Sequence, residues 1–367
     1  MTSLALTAVP SVGISVNAVQ AAENEADLTL WYNSPASDSY DGWEKWSLPL
    51  GNSVIGASVF GGISRERIQL NEKSLWSGGP STSRPNYNGR NIENNGQNGE
   101  IVKQIQEAFA SGDSSTASSL CNQLTGVSDD AGINGYGYYL SYGNLYLDFE
   151  GIADNRVENY RRDLNLRTAV ASVEYDHNGT HYTRENFVSY PDNVLVTKVT
   201  AKGSDKLNPA VRVEPDNQKG NGSNNPSAQS YQRDWTTNVK DGMISISGAL
   251  KDNQMKFSSK TQVLTDGKTT DNDASVGVSR ANEVIIITSI GTDYKNVYNT
   301  YRTGETDAQV AARVQTYVDK AAKIVKEDSY DRLKQNHIDD FNAIFGRVEL
   351  NLGQGVSDKT TNQLLAA

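Results

Sequence analysis

From about residue 28 to 294, apolar residues recur at alternate positions in short runs, and Gly, Asn, Asp and Ser punctuate them. A period of two places successive side chains on opposite faces of a strand. Leu28–Tyr32 reads as the first strand. In Ser53–Phe60, Ile55, Ala57 and Val59 fall on one face and Val54, Gly56, Ser58 and Phe60 on the other. Asn144–Phe149 sets Leu145, Leu147 and Phe149 against Tyr146 and Asp148. Thr168–Tyr175 and His181–Ser189 flank Asp176-His177-Asn178-Gly179, and an Asn-Gly pair between alternating runs predicts a tight hairpin. Asn193–Ala201, Ala210–Glu214, Met243–Leu250, Met255–Leu264 and Glu283–Ile290 extend the set. Strand and helix do not alternate regularly. The fold class is therefore mainly β, a large antiparallel super-sandwich rather than a parallel sheet.

Two stretches break this rhythm. A small helical insertion is predicted at Gly99–Ala110, with Ile101, Ile105, Ala108 and Phe109 at helical spacing, and continues at Ser114–Leu124. After about residue 296 the period changes to that of a helix. Thr306-Asp307-Ala308-Gln309 fits a capping box. Val310, Val314, Tyr317, Val318, Ala321, Ile324 and Val325 then form one apolar stripe that calls for a packing partner, either the sandwich or another domain. A second helix is predicted from about Ser329 to Phe345 and a strand over Arg347–Leu352. Residues 217–230 read as a polar loop.

The ends change the picture. Residues 1–22 are uncharged from Leu4 to Ala22 and end in Val19-Gln20-Ala21, a small-x-small pattern before Glu23-Asn24-Glu25. This resembles the back half of a secretory leader without its basic start, and it predicts export. The expected organisation is a leader at 1–22, a β super-sandwich at 23–295, a helical linker at 296–353, and the opening of a further domain at 354–367.

Composition narrows the function. Thirty-four Lys and Arg against 44 Asp and Glu give a net charge of −10. That argues against nucleic acid as a partner, since phosphate binding needs a surplus of cations. The longest interior apolar run is Val284–Ile287, far short of the roughly 18 residues that span a bilayer. A single cysteine, Cys121, excludes an internal disulfide. Three histidines leave little for metal chemistry, and His177 and His181 straddle a turn, so no metal or cofactor is expected. Carboxylate pairs such as Glu66/Glu72, Asp129/Asp130 and Asp339/Asp340 exist, but spacing alone cannot set two carboxyls across a sugar. Trp31, Trp43, Trp46 and Trp76 crowd the first 80 residues. Such rings either stack on sugars or plug the core.

One segment goes beyond pattern. Leu30-Trp31-Tyr32 is followed by Trp46-x-Leu48-Pro49-Leu50-Gly51-Asn52, then Gly56-Ala57-x-Val59-Phe60-Gly61-Gly62. Next comes Glu66-Arg67-Ile68-Gln69-Leu70-Asn71-Glu72-x-Ser74-Leu75-Trp76-Ser77-Gly78-Gly79-Pro80. Tyr142–Phe149, Tyr160-Arg161-Arg162, Tyr182-Thr183-Arg184-Glu185 and His337-x-x-Asp340-Phe341 follow in order. Over about residues 28–353 the chain resembles the N-terminal part of glycoside hydrolase family 95. Ser53, where that family commonly has glycine, is a minor departure. The resemblance implies a β super-sandwich and helical linker leading to an (α/α)6 barrel that carries the catalytic residues. It implies an inverting α-L-fucosidase acting on a fucosylated glycan, with this chain supporting the missing barrel. It implies no catalytic residue at any position here. Trp46, Asn71, Glu72 and Trp76, from the densest motif, are the expected substrate-proximal or interdomain residues. A secreted or cell-surface bacterial protein is expected. The alternative is a carbohydrate-binding or structural sandwich without catalysis.

Overall fold

Alternation builds two antiparallel sheets, seen in a computed structural model that describes residues 28–82, 97–124, 137–216, 232–298, 300–350 and 357–366. The predicted leader at 1–22, the loop at 217–230 and the pair Asp129/Asp130 lie outside the described residues. The strands are β1 (Thr29–Tyr32), β2 (Leu48–Gly51), β3 (Ile55–Val59), β4 (Arg65–Trp76), β5 (Tyr139–Phe149), β6 (Glu158–Asn165), β7 (Val170–His177) and β8 (Thr180–Ser189). They continue with β9 (Val194–Lys202), β10 (Pro209–Pro215), β11 (Arg233–Lys240), β12 (Met243–Leu250), β13 (Lys256–Thr265), β14 (Lys268–Asp271), β15 (Ser275–Ser279) and β16 (Glu283–Thr292). Among the described residues, one sheet has nine strands in the order β1-β6-β7-β8-β9-β16-β13-β12-β11. The other has seven, β14-β15-β10-β5-β4-β3-β2.

The inward faces meet in one core. Ile55, Ala57 and Val59 of β3, Ile68 and Leu70 of β4, and Leu145, Leu147 and Phe149 of β5 face Val173, Tyr175, Val199, Ile246 and Ile286 across it. The β7–β8 turn is the predicted one, with Asn178 and Gly179 at φ 50° and 73°. Those are the positive values that a two-residue turn of this hand requires.

Strand β16 is buried from Val284 to Thr292 with no exposed alternate. Its two faces meet different partners. Val284, Ile286 and Ile290 enter the sandwich core, while Ile285 and Ile287 enter a second cluster under the C-terminal helices. A strand covered on both sides reads as a continuous apolar run. The covering helices are α3 (Asp307–Glu327) and α4 (Tyr330–Phe345), which follow the insertion helices α1 (Asn98–Ala110) and α2 (Ser114–Leu124). Helix α3 starts at the predicted capping box, where Thr306 and Gln309 bond each other's backbone N–H. Its apolar stripe lies on the nine-stranded sheet, so the sandwich itself is the partner that the stripe called for.

Helix α4 docks through a stack. The His337 ring lies 4.9 Å from Phe187 on β8, and its Nε2–H donates to the Thr168 carbonyl at 2.9 Å. The Tyr330 hydroxyl and the Lys334 ammonium donate to the two oxygens of Glu185 at 2.9 and 2.8 Å. The predicted strand at Arg347–Leu352 is corrected: residues 347–350 form no strand, and 351–352 lie outside the described residues. Val348 is 82% and Leu350 73% exposed, so neither the alternation nor the apolar content finds a sheet edge to join.

The sandwich is also pinned by a buried ion pair. Glu66 of β4 takes Arg184 Nη1 of β8 at 2.5 Å, with both side chains almost wholly buried. Removing one partner of such a pair strands the other charge. Arg184→Ala should therefore lower stability by about 3–5 kcal/mol, read from the urea midpoint. Arg184→Met with Glu66→Leu should recover only part of that loss. The Gly61 N–H, which now donates to Glu66, would lose that partner, and the Phe60 N–H would keep only its longer bond to the Arg67 carbonyl. Equal midpoints for wild type and Arg184→Ala would contradict this role.

Burial pushes the His337 imidazole below its ordinary value, against the pull of the Thr168 carbonyl and of Asp340 and Asp192. The unfolded chain then binds a proton before the folded one does. Stability should be full above the ordinary histidine value and fall as pH drops through it toward the depressed folded value. Urea midpoints between about pH 7.5 and 5 should show this slope. His337→Gln, which keeps a donor for Thr168, should flatten it; an unchanged slope would place the titration elsewhere.

Candidate functional site

The dense motif at 66–80 ends in a cleft at one edge of the sandwich. Trp76 is the last residue of β4 and pairs with Tyr139, the first of β5, with ring centres 5.8 Å apart. The chain then turns through Ser77-Gly78-Gly79-Pro80. This turn is clamped from the opposite sheet. Asn253, between β12 and β13, donates its amide to the carbonyls of Trp76 at 3.0 Å and Gly78 at 2.7 Å. Its side-chain oxygen accepts from Met255 N–H at 3.0 Å. Gly78 N–H donates to Asp252 at 2.6 Å. The third wall follows β16, where Arg302 donates to the Asn253 carbonyl at 3.1 Å and lies 3.7 Å from Asp293. Between these walls is a cavity of about 480 Å³ lined by Trp76, Tyr294, Tyr301, Arg302, Lys73 and Ser74 among others.

The four residues singled out in the sequence separate here. Trp76 lines the cleft and is 44% exposed. Glu72 stands on the inward face of β4 behind the cleft wall, where it accepts from the Ser74 N–H at 2.7 Å and the Ser74 hydroxyl at 2.6 Å. Burial pushes its carboxyl up, and Ser74 and the charge of Lys73 pull it down. The Ser74 hydroxyl in turn meets that of Thr292 at 2.5 Å, which ties the cleft floor to β16. Asn71 faces the other way, onto the outer surface of the seven-stranded sheet, and hydrogen-bonds the Tyr139 hydroxyl. Trp46 is elsewhere. It packs against the core edge-on to Tyr32 at 6.4 Å, and its carbonyl accepts from Arg162 Nη1 at 2.7 Å.

The cleft offers an aromatic face, hydroxyls and two cations. No carboxylate is among its described lining residues. Such a site can stack, orient and exclude water. Among the described residues, no group of three or more His, Cys, Asp or Glu side chains is gathered for a metal ion. Asn253 and Arg302 carry the clamp yet carry no sequence signal, since Asp-Asn in a hairpin turn is ordinary turn chemistry.

Three comparisons bear on this geometry. The A. niger protein named "Probable alpha-fucosidase A" (Aspergillus niger) is 28% identical over 357 residues, covering 93% of this chain and 40% of that protein. The Arabidopsis thaliana protein named "Alpha-L-fucosidase 2" is 23% identical over 353 residues, covering 92% of this chain and 38% of that one. The chain thus spans about two-fifths of the length of these curated relatives. Among solved structures, the "Putative kojibiose phosphorylase from human microbiome" shares the fold. It has a TM-score of 0.50 at 11% identity, over 87% of this chain and 38% of that one. The family described as "Glycosyl hydrolase family 65, N-terminal domain" matches residues 30–297. That match takes in well over half of the chain, and the chain belongs to this family of glycosyl hydrolase N-terminal domains.

Proposed function

We propose that this chain is the N-terminal sandwich and linker of an inverting α-L-fucosidase, of the kind grouped in glycoside hydrolase family 95, acting on terminal fucose of glycans. The observation that carries the reading is the alignment with curated proteins named α-fucosidases over more than nine-tenths of the chain. The motif run from Trp46 to Pro80 supports the same assignment. In this reading an (α/α)6 barrel supplies the acid that protonates the leaving oxygen and the groups that activate water on the opposite face. The sandwich supplies no catalytic group. Its contribution is the Trp76 cleft, which shapes the substrate side of the barrel mouth and holds water out. The protein is exported, as the uncharged opening segment suggests.

Fucose release from 2′-fucosyllactose tests the division of labour, with the 367-residue chain assayed beside a form extended through its reading frame. Release by the longer form alone is expected. Release by the shorter chain would make one of its own carboxylates catalytic and overturn the division. Silence from both, with both folded, would overturn the choice of fucose.

Trp76 and Trp46 should behave differently in the longer form. Trp76→Ala should raise KM or lower kcat by about tenfold, equivalent to about 1.4 kcal/mol, with the unfolding midpoint nearly unchanged. Trp46→Ala should lower the midpoint, because its half-buried ring packs against the core beside Tyr32. Normal kinetics for Trp76→Ala would remove the cleft from the substrate path.

A further inference from the structure

The outer face of the seven-stranded sheet carries a second cavity of about 780 Å³, on the other side of the Trp76–Tyr139 pair from the cleft. We propose that this trough binds a neutral oligosaccharide. The inference stands on the trough alone and does not depend on the fucosidase reading.

The floor is a grid set by strand register. Ser58 of β3 pairs with Gln69 of β4, Gly56 pairs with Asn71, and Asn71 pairs in turn with Ser141 of β5. All of these point outward, because their neighbours Ala57, Ile68, Leu70 and Leu140 fill the core. Small residues at 56, 58 and 141 keep the floor low, while Gln69 and Asn71 offer amide donors and acceptors. Their existing bonds leave capacity. Gln69 reaches Ser141 only at 3.5 Å, and Asn71 bonds the Tyr139 hydroxyl.

The walls are aromatic. Tyr139, 48% exposed, stands on one side. On the other, Tyr40 and Trp43 sit 5.6 Å apart and are 55% and 36% exposed. Trp43 lies in, and Tyr40 just before, a short π-helical segment at Gly42–Trp46. Gly42 is required there, since a Cβ would fall 1.8 Å from the Ser37 carbonyl oxygen. Trp43 N–H donates to the Ser39 carbonyl at 3.0 Å, and the Ser47 hydroxyl donates to the Trp43 carbonyl at 2.6 Å. The wall is therefore a fixed part of the fold.

Charge decides the ligand class. Arg67 is the cation at the floor, and it is already used: it pairs with Asp38, donates to Asn144 at 2.7 Å and lies over the Phe60 ring at 4.7 Å. Asp216 lines the far side. An anionic ligand gains no open cation, so the grid suits neutral hydroxyl groups. The layout also separates a sugar from a protein partner. Protein interfaces place apolar residues at the centre and polar ones at the rim. Here Ser58, Gln69, Asn71 and Ser141 line the trough together with the rings of Tyr139, Tyr40 and Trp43 and the apolar Pro49 and Leu50, a mixture that suits a hydroxylated chain whose ring faces stack on indole and phenol.

The test titrates the folded 367-residue chain with cellohexaose, xylohexaose and lacto-N-fucopentaose, with a heparin hexasaccharide as the charged control. The side-chain amide signals of Gln69 and Asn71 and the Trp43 indole signal are followed by NMR. At least one neutral probe should shift all three saturably, and heparin should not. Trp43→Ala should weaken that binding about tenfold. Ser58→Tyr, which fills the floor without touching the turn, should abolish it, and it keeps the test sharp if Trp43→Ala loosens the wall. Absence of saturable shifts with all three neutral probes overturns the proposal. So do shifts centred on the Asn253 amide in the cleft, and so does equal binding of heparin.

Discussion

Two sheets slide on an apolar slab unless something fixes one against the other. In this protein the most deeply buried charged fixing point is the Arg184–Glu66 pair, which works beside neutral ties such as Tyr142 to Ser259 and Ser74 to Thr292. Glu66 belongs to the seven-stranded sheet and Arg184 to the nine-stranded one, so a bond of 2.5 Å sets their relative position. The loop between β3 and β4 is gathered by the same groups. Phe60 and Gly61 donate to Glu66, Arg184 Nη2 donates to the Gly62 carbonyl at 2.7 Å, and the Tyr160 hydroxyl donates to the Gly61 carbonyl at 2.6 Å. Burial raises the cost of ionising Glu66, and the guanidinium and the backbone donors act against it. A buried pair of this kind is a poor source of net stability compared with apolar packing. Its value is directional: hydrophobic contact tolerates many registers, and a bonded carboxylate tolerates one.

Register fixed at Glu66 propagates along β4. This strand alternates inward Glu66, Ile68, Leu70 and Glu72 with outward Arg67, Gln69 and Asn71, and ends in Trp76. A one-residue slip would exchange the two sets. The inward carboxylates bind the sheets together at Glu66 and steady the cleft floor at Glu72. The outward residues make the trough, and the terminal ring separates trough from cleft. One strand thus contributes to the core, to a buried polar lattice and to both cavities.

The legibility of the fold follows from the same strand. Where inward positions are apolar, as at Ile55, Ala57 and Val59 of β3 and Leu145, Leu147 and Phe149 of β5, the alternation is plain in the sequence, and the Asn178-Gly179 turn announces its hairpin. Helices α1 to α4 are legible for the same reason, since one face of each is apolar. Strand β4 is not. Two of its inward positions are glutamates, and a periodicity search reads them as surface. Alternation also misleads in the other direction at Val348 and Leu350, where no partner edge exists. The candidate site was legible as a motif and not as a place. Trp46 and Trp76 look alike in sequence, yet Arg162 and Tyr32 hold one half-buried against the core while the Asn253 clamp holds the other at the rim. Arg162 and Asn253 lie 116 and 177 residues from the rings they place, beyond the reach of any local pattern.

The helices settle which surfaces remain available. An amphipathic stripe on α3 could have met a separate domain, but it is spent on Ile285, Ile287 and the outer face of β9. Among the described residues, Phe187, Val194, Val196, Ile285 and Ile287 on that face are buried under the two helices. The seven-stranded sheet differs, because no described helix covers its outer face, and its outward positions are polar rather than apolar. The two faces of the sandwich therefore have different physical fates. One is sealed by apolar burial on both sides of β16, and its residues answer to stability. The other keeps bonding groups in water beside fixed aromatic rings, and its residues answer to whatever ligand can replace that water bond for bond.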